Sequence, residues 1–247
     1  MRHLHARWWL GPGLVIIAAS VLFLSASGQA REHPRFPGSS AVGVLLLRGR
    51  HPFCTASVVQ SSSGDLLLTA AHCLGRRLAT TLMFAPSYHD ERAPFGEWHV
   101  TGQVFPAGWF PHGDVNEDFA FLTVHGDVQA RAGAERLGFS APVPTWVRLE
   151  GYSLAGKLTI CSRRPSTIMA AGQQQLSFAC PGYWSASSGG PFLTDIDGRS
   201  GLGIIVGIIG GYQEGGSTPV VSYSSPFGAV LHQLYVTMTH AVASAGE

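Results

Sequence analysis

The chain has 247 residues and a formal net charge of only +1, because 16 lysines and arginines nearly balance 15 aspartates and glutamates. It contains no basic stripe, so the sequence predicts neither nucleic acid nor another polyanion as a partner. Apolar residues make up 45% of the chain, which excludes a disordered protein in spite of 31 glycines and 15 prolines.

The first segment has the features of a secretory signal. A basic stretch with Arg2 and Arg7 precedes the apolar run 8–26, and small residues follow up to Ala30. This order predicts a signal peptide over residues 1–30, cleaved after Ala30, and hence an exported protein without membrane contact once the signal is removed. The apolar run is also close to the length that spans a bilayer, so an uncleaved membrane anchor is the alternative.

Residues 31–40 form a segment rich in Pro, Gly and Ser that we interpret as a surface approach to the folded domain. From Ala41 onward, short apolar runs alternate with turn residues, which is typical of an all-β chain with antiparallel strands. The predicted strands are 42–47, 56–59, 66–70, 82–84, 98–104, 119–124, 146–149, 158–161, 176–180, 191–194 and 202–209.

The stretch 126–144 is polar, contains Gly and Pro, and divides the predicted strands into two halves. The first half covers about 41–130 and the second about 140–226. After Pro226, apolar residues recur at three- and four-residue intervals, which predicts one α-helix over about 227–244, packed on the second half.

The segment 184–193 is a candidate nucleophile loop. Its Ser188 is flanked by glycines and small residues and precedes a proline and an apolar run. A tight turn of this kind presents a hydroxyl together with backbone N–H groups that face the attacked carbonyl. An ordinary Ser/Gly-rich turn is the alternative.

Two further segments place a base and an acid beside apolar runs. His72 follows the run 67–71, and an imidazole with an ordinary pKa of about 6.5 suits a general base for a serine. Asp118 directly precedes the run 119–122, where a carboxylate needs a partner. Asp114 and Asp127 are the rival carboxylates.

His72, Asp118 and Ser188, in this order and in these settings, resemble the chymotrypsin/trypsin-like serine peptidases, most closely their secreted bacterial members. The resemblance covers the chain from about Ala41 onward. It implies a peptidase domain over 41–247, built as two six-stranded antiparallel β-barrels with the catalytic groups at their junction. It also implies a monomeric endopeptidase that hydrolyses protein or peptide substrates through an acyl-enzyme, without a cofactor.

The nucleophile loop departs from the family pattern at two positions. The resemblance assigns the oxyanion hole to the N–H groups of Ala186 and Ser188, but the family has Gly-Asp-Ser-Gly-Gly-Pro where this chain has Ala186 and Ser187. Alanine lacks the freedom of glycine at positive φ. An uncharged Ser187 cannot pair with a new amino terminus as in the animal relatives, so we expect no zymogen switch of that type. These departures leave a catalytically silent, protein-binding homologue as the alternative function.

Four cysteines allow three pairings, and export favours disulfides. The resemblance implies Cys54–Cys73, which would join the strand before His72 to the histidine loop. Proximity in the sequence favours Cys161–Cys180. No pair has Cys-x-x-Cys spacing, so we expect no metal site.

The specificity pocket is the least defined part of the site. The stretch 181–184 contains no carboxylate, which does not favour cleavage after Arg or Lys, and we expect an apolar or medium-sized residue before the cut. The candidate substrate-binding residues are Gly182 and Tyr183 in this stretch, and Gly207, Ile208, Ile209 and Gly210 in a predicted strand along which a substrate backbone could pair.

Overall fold

The computed structural model describes residues 37–47, 51–75, 77–110, 113–139 and 142–240. The predicted signal peptide and most of the approach segment lie outside the described residues. Within the described part of the chain, no helix combines the length and the apolar character needed to cross a bilayer.

The first half is a closed antiparallel barrel whose six strands are hydrogen-bonded in the order β1-β2-β3-β6-β5-β4. Most of its strands are largely buried, because the barrel core lies on one face and neighbouring segments cover the other, whereas strand 98–104 is buried only at Val100. The strands are β1 (Val42–Leu47), β2 (His51–Val58), β3 (Leu66–Thr69), β4 (Met83–Pro86), β5 (Trp98–Val104) and β6 (Ala120–Val124).

The second half contains eight strands in two sheets, which pack around a second core of Val147, Leu149, Phe178, Phe192, Val206 and Ile209 with their neighbours. One sheet has the order β7-β13-β12-β8-β9 and the other β10-β11-β14. The strands are β7 (Arg136–Leu137), β8 (Val147–Tyr152), β9 (Leu158–Arg163), β10 (Ser166–Ala170), β11 (Gln173–Ala179), β12 (Pro191–Thr194), β13 (Ile204–Ile208) and β14 (Val221–Ser224).

These two sheets differ from the second closed barrel that we expected. β7 pairs in parallel with β13 and occupies one of its edges, while β12 occupies the other. Where β13 meets β14, the Ile208 N–H donates to the Ser224 hydroxyl (2.9 Å) instead of to a backbone carbonyl. The backbone bond between these two segments is instead made just beyond β13, where the Gly210 amide donates to the Tyr223 carbonyl (3.0 Å), and β9 is not paired with β10.

Three α-helices complete the described fold: α1 (Ala71–Leu74), α2 (Val128–Ala132) and α3 (Ala229–His240). The predicted C-terminal helix is present as α3, but it contacts the first half as well. The Tyr235 hydroxyl donates to the Gln60 carbonyl (2.6 Å), and its ring lies 6.0 Å from that of Phe121 on β6. We expected this helix to pack on the second half, but its buried Leu231 and partly buried Leu234, Tyr235 and Met238 belong to the core that contains the first barrel.

Both predicted disulfides are present. Cys54–Cys73 joins β2 to α1, and Cys161–Cys180 joins β9 to the segment after β11. Each bridge stabilises an element that leads to one of the candidate catalytic segments: the first leads to His72 and the second to the loop before Ser188.

Candidate active site

His72 lies on α1, immediately after the buried strand β3. The chain leaves the barrel at Ala70 and turns into α1, so the imidazole emerges at the rim of the first half with only 12% of its side chain exposed. The next residue, Cys73, is bound to Cys54 and holds this turn against β2. The position of the imidazole is thus determined by a regular strand and a covalent bridge.

Asp118 orients this imidazole. Its carboxylate is 1% exposed and accepts three N–H donors: Oδ2 from His72 Nδ1 (2.7 Å) and from the Gly211 amide (2.8 Å), and Oδ1 from the His72 amide (2.9 Å). Because an ionised carboxylate only accepts hydrogen bonds, Nδ1 must be the donor in this pair. His72 Nε2 is then the nitrogen that remains to take up a proton.

The two rival carboxylates have local roles. Asp114 accepts a hydrogen bond from the Asn116 amide (2.9 Å) and so caps the short turn Val115–Glu117. Asp127 accepts from the Ala130 amide (2.8 Å) and caps α2. Each carboxylate is used as a helix N-cap, which is a common use of aspartate.

The environment of His72 favours its protonated form. Burial by itself lowers the pKa of the imidazole, but the hydrogen bond to Asp118, its charge and a contribution from Glu214 outweigh that effect. The pKa of His72 is therefore raised above its ordinary value. A base with a raised pKa accepts a proton more readily during nucleophilic attack.

Ser188 lies in a loop that is held by both halves. Its carbonyl accepts from the Thr55 amide on β2 (2.8 Å), and the following Gly189 donates to the Ile209 carbonyl (2.7 Å). Gly189 has φ 81°, and a Cβ there would lie 2.2 Å from the Thr55 carbonyl oxygen, so only glycine fits. Ser188 and His72 line one cleft of about 420 Å³.

No hydrogen bond joins the Ser188 hydroxyl to His72 among the described residues. Contacts of this kind commonly tighten only when a substrate is bound.

The predicted oxyanion donors are available for a ligand. Within residues 142–240, the N–H groups of Ala186 and Ser188 donate to no protein acceptor. Ala186 is buried and has φ 81°, a left-handed conformation that costs a non-glycine residue about 1 kcal/mol. The loop is therefore strained at Ala186, one of the two predicted donors.

Ser187 uses its side chain locally. It is 2% exposed, and its hydroxyl and its amide both donate to the Trp184 carbonyl. No carboxylate is present at this position to attract an amino terminus.

The predicted substrate-binding residues are divided by the fold. Tyr183 and Ile209 line the cleft, and the Tyr183 hydroxyl is held by the Leu149 carbonyl (2.7 Å). Gly207 and Ile208 instead lie in β13 against Ser224. Gly182 and Gly210 are likewise not among the residues that line the cleft.

The sequence reasoning missed one wall of the cleft, the segment 213–219. Its Gln213 and Glu214 both have positive φ (52° and 55°), two strained residues in succession. Besides His72, the described residues that line this cleft include one acidic side chain, Glu214, and one basic side chain, Arg77. The glycines around this segment signalled an unusual turn, but nothing in the sequence indicated that it would face His72.

The Arg77 guanidinium is held in place by two contacts. It donates to the Cys73 carbonyl (2.7 Å) and lies over the Phe53 ring, 5.2 Å from its centre. Together, Arg77 and Glu214 give the cleft one basic and one acidic side chain, beside several hydroxyl groups. The predicted preference for an apolar or medium-sized residue stays a prediction.

The described residues contain no group of three or more His, Cys, Asp or Glu side chains that could hold a metal ion.

No model of a known protein family and no curated protein sequence matches this chain. Solved structures do match. The protease Anisep from Arthrobacter nicotinovorans has a TM-score of 0.69 at 22% identity, over 82% of this chain and 97% of its own. The thermostable serine protease AL20 from an extremophilic microorganism has a TM-score of 0.68 at 24% identity, over 82% and 98%. A Glu endopeptidase has a TM-score of 0.63 at 16% identity, over 85% and 94%.

Proposed function

We propose that this chain, which has the fold of the chymotrypsin-like serine proteases, is a secreted serine endopeptidase. The observation that carries the proposal is the Asp118–His72 pair in the cleft that Ser188 also lines. Export is supported by the signal pattern before Ala30 and by the two disulfides, which are typical of oxidising compartments.

The proposed reaction begins with attack of the Ser188 oxygen on the carbonyl carbon of a peptide bond. His72 Nε2 takes the hydroxyl proton, while Asp118 keeps the imidazole in its orientation and stabilises the imidazolium. The oxyanion accepts hydrogen bonds from the Ala186 and Ser188 amides. His72 then returns the proton to the leaving amine, and water releases the acyl group from Ser188 by the same steps.

A fluorophosphonate probe tests this proposal, because it reacts with an activated serine and not with an ordinary hydroxyl. We expect the wild-type protein to be labelled at Ser188, and the label to disappear in Ser188→Ala. Ser185→Ala is the matched control, since this exposed serine of the same loop also lines the cleft and should leave labelling intact.

Labelling should be accompanied by cleavage of a peptide library. Folded wild-type protein that neither reacts with the probe nor cleaves any peptide would contradict the proposal and favour the silent, protein-binding homologue.

A further inference from the structure

Gln175 on β11 is a buried amide side chain at the boundary between the two halves. It is 1% exposed, and its amide makes three hydrogen bonds. Oε1 accepts from the Tyr212 amide (2.9 Å), while Nε2 donates to Asn116 Oδ1 (3.0 Å) and to the Val115 carbonyl (3.4 Å). One side chain thus contacts two chain segments that are far apart in the sequence.

The orientation of this amide is determined by its partners. A backbone N–H only donates, so Oε1 must face Tyr212, and a carbonyl only accepts, so Nε2 must face Val115. Asn116 is oriented in the same way, since its Nδ2 donates to the Ala171 carbonyl (3.1 Å) and leaves Oδ1 for Gln175. Both Nε2 protons are used, and no other uncharged side chain of this size offers the same donors and acceptor.

The two segments that Gln175 joins are the ones that place Asp118. Val115 and Asn116 belong to the short turn that ends directly before Asp118. Tyr212 follows Gly211, whose amide donates to Asp118 Oδ2 (2.8 Å). The packing is tight, because a Cβ on Gly211 would lie 2.6 Å from Gln175 Oε1.

We propose that Gln175 is a positioning residue for the active site, which holds the Asp118 turn in register with the Gly211 amide. The inference rests on the proposed function, since Gln175 acts on the reaction only through Asp118 and His72. The Val115 carbonyl also accepts from the Ser225 hydroxyl (3.2 Å), so it keeps one partner when Gln175 is replaced, but the turn before Asp118 loses its link to Tyr212. We expect the carboxylate then to be aligned less closely with His72 Nδ1. Small misplacements of such groups reduce turnover far more than substrate affinity.

Two variants of similar size test the inference. Gln175→Met removes the hydrogen bonds, whereas Gln175→Glu keeps the acceptor and removes both donors whenever the carboxyl is ionised. Gln173→Met is the matched control, since Gln173 is an exposed residue of the same strand. The activities of all the proteins are measured at one temperature, at which their unfolding curves show each of them to be fully folded.

We expect Gln175→Met to lower kcat at least about tenfold with KM changed less than about threefold, while Gln173→Met stays within about twofold of wild type. Gln175→Glu should recover activity relative to wild type as the pH falls, because a protonated carboxyl can donate to Asn116 or Val115. If Gln175 only supported the fold, the ratio of the activity of folded Gln175→Glu to that of wild type would not depend on pH.

The low-field NMR signal of the proton between His72 Nδ1 and Asp118 provides a readout that needs no turnover. We expect it to shift or broaden in Gln175→Met and to stay unchanged in Gln173→Met. The inference is overturned if folded Gln175→Met keeps both this signal and kcat within about twofold of wild type. If Gln175→Met does not fold, the test rests on Gln175→Glu: on the pH dependence of its activity relative to wild type and on its NMR signal.

Failure of the proposed function would be recognised separately, as a wild-type protein that does not react with the fluorophosphonate. The NMR signal would still test the placement of Asp118 by Gln175 in that case.

Discussion

The two halves of the molecule hold their parts of the candidate site in different ways. His72 and Asp118 adjoin strands of a closed barrel, and neither has a positive φ. Asp118 has φ −76° and ψ 62° and lies at the centre of a tight turn in which the Phe119 amide donates to the Glu117 carbonyl (2.8 Å). In the second half, the segments that line the cleft contain three non-glycine residues with positive φ: Ala186, Gln213 and Glu214. In the first half the non-glycine residues with positive φ, Ser87, Asp90 and Glu91, lie outside the cleft. The proton-transferring pair is thus held without positive φ, whereas the nucleophile loop and one wall of the cleft are strained. Backbone strain of this kind often accompanies function.

The largest effect is expected at the nucleophile of the second half. Ser188→Ala deletes one hydroxyl and leaves the hydrogen bonds of the loop backbone unchanged, so the fold should persist. For a triad that acts as a unit, turnover should fall by a factor on the order of 10⁶. Steady-state kinetics on a peptide substrate measure this, and retention of more than a few per cent of activity would identify another serine, with Ser187 tested next.

In the first half, Asp118→Asn should have the next largest effect. The amide cannot stabilise an imidazolium and favours the wrong tautomer of His72, so turnover should fall by a factor on the order of 10⁴. The pKa of His72 should also fall, because the hydrogen bond and charge of Asp118 raise it. NMR titration of the imidazole measures this shift.

Asp114→Asn is the control for Asp118→Asn, since this residue caps the neighbouring turn and asparagine can still accept the same hydrogen bond. If Asp114→Asn were the more damaging change, Asp118 would not be the orienting carboxylate.

The two disulfides allow the halves to be compared directly, because each bridge joins cysteines 19 residues apart. Replacing either pair by serine should lower the free energy of unfolding by a similar amount, about 3 kcal/mol in the chain-entropy model. Denaturant unfolding checks this value.

Only the loss of Cys54–Cys73 should also change the pH profile of activity, because Cys73 is adjacent to His72. Equal changes in the pH profile for both pairs would mean that the first bridge has no particular role in holding the base.

The second half also binds the start of the described chain, through the buried acid Glu150 on β8. Both of its carboxyl oxygens accept from the Ser39 amide (3.1 and 3.0 Å), and Oε1 also lies 2.7 Å from Arg148 Nε. Burial, only partly offset by Arg148 and Ser39, raises the pKa of Glu150 from 4.5 to about 7. The folded protein therefore binds this proton more tightly than the unfolded chain does.

The contribution of Glu150 to stability is complete below pH 4.5 and is lost as the pH rises through about 7. The shift corresponds to at most about 3 kcal/mol. Glu150→Gln cannot titrate, so the decrease in its free energy of unfolding between these pH values should be smaller than in wild type. Denaturant titrations across this range check the difference, and parallel curves for the two proteins would show that Glu150 does not titrate there.

The smallest effect is expected at Ala186. Ala186→Gly places glycine at a position with φ 81°, which relieves strain but increases the entropy of the unfolded chain. The free energy of unfolding should rise by no more than about 1 kcal/mol, with turnover equal to or slightly above that of wild type. A large gain in turnover would instead mean that alanine distorts the oxyanion donors.

The sequence was informative wherever a residue's role depends on its immediate neighbours. Ser188 was singled out by its glycines, and Asp118 by its place before a buried strand. The strands β7, β10 and β14 were missed, because β7 has only two residues, β10 is largely exposed, and β14 alternates apolar residues with serines, so none forms an apolar run. The helix α2 was missed because it has only five residues and depends on its Asp127 cap.

By itself, the sequence determined the all-β class and the C-terminal helix, since periodicity is a short-range property of the chain. The candidate catalytic residues and the Cys54–Cys73 pairing came from local motifs together with the resemblance to a known family, and Cys161–Cys180 came from proximity in the sequence. Only the tertiary structure decided that the second half forms two sheets, that α3 reaches the first barrel, and that Glu214 and Arg77 face the cleft. It also decided that Gln175 lies between Asn116 and Tyr212. These features depend on contacts between residues tens of positions apart, and such contacts are determined by how the two halves pack, which no local pattern encodes.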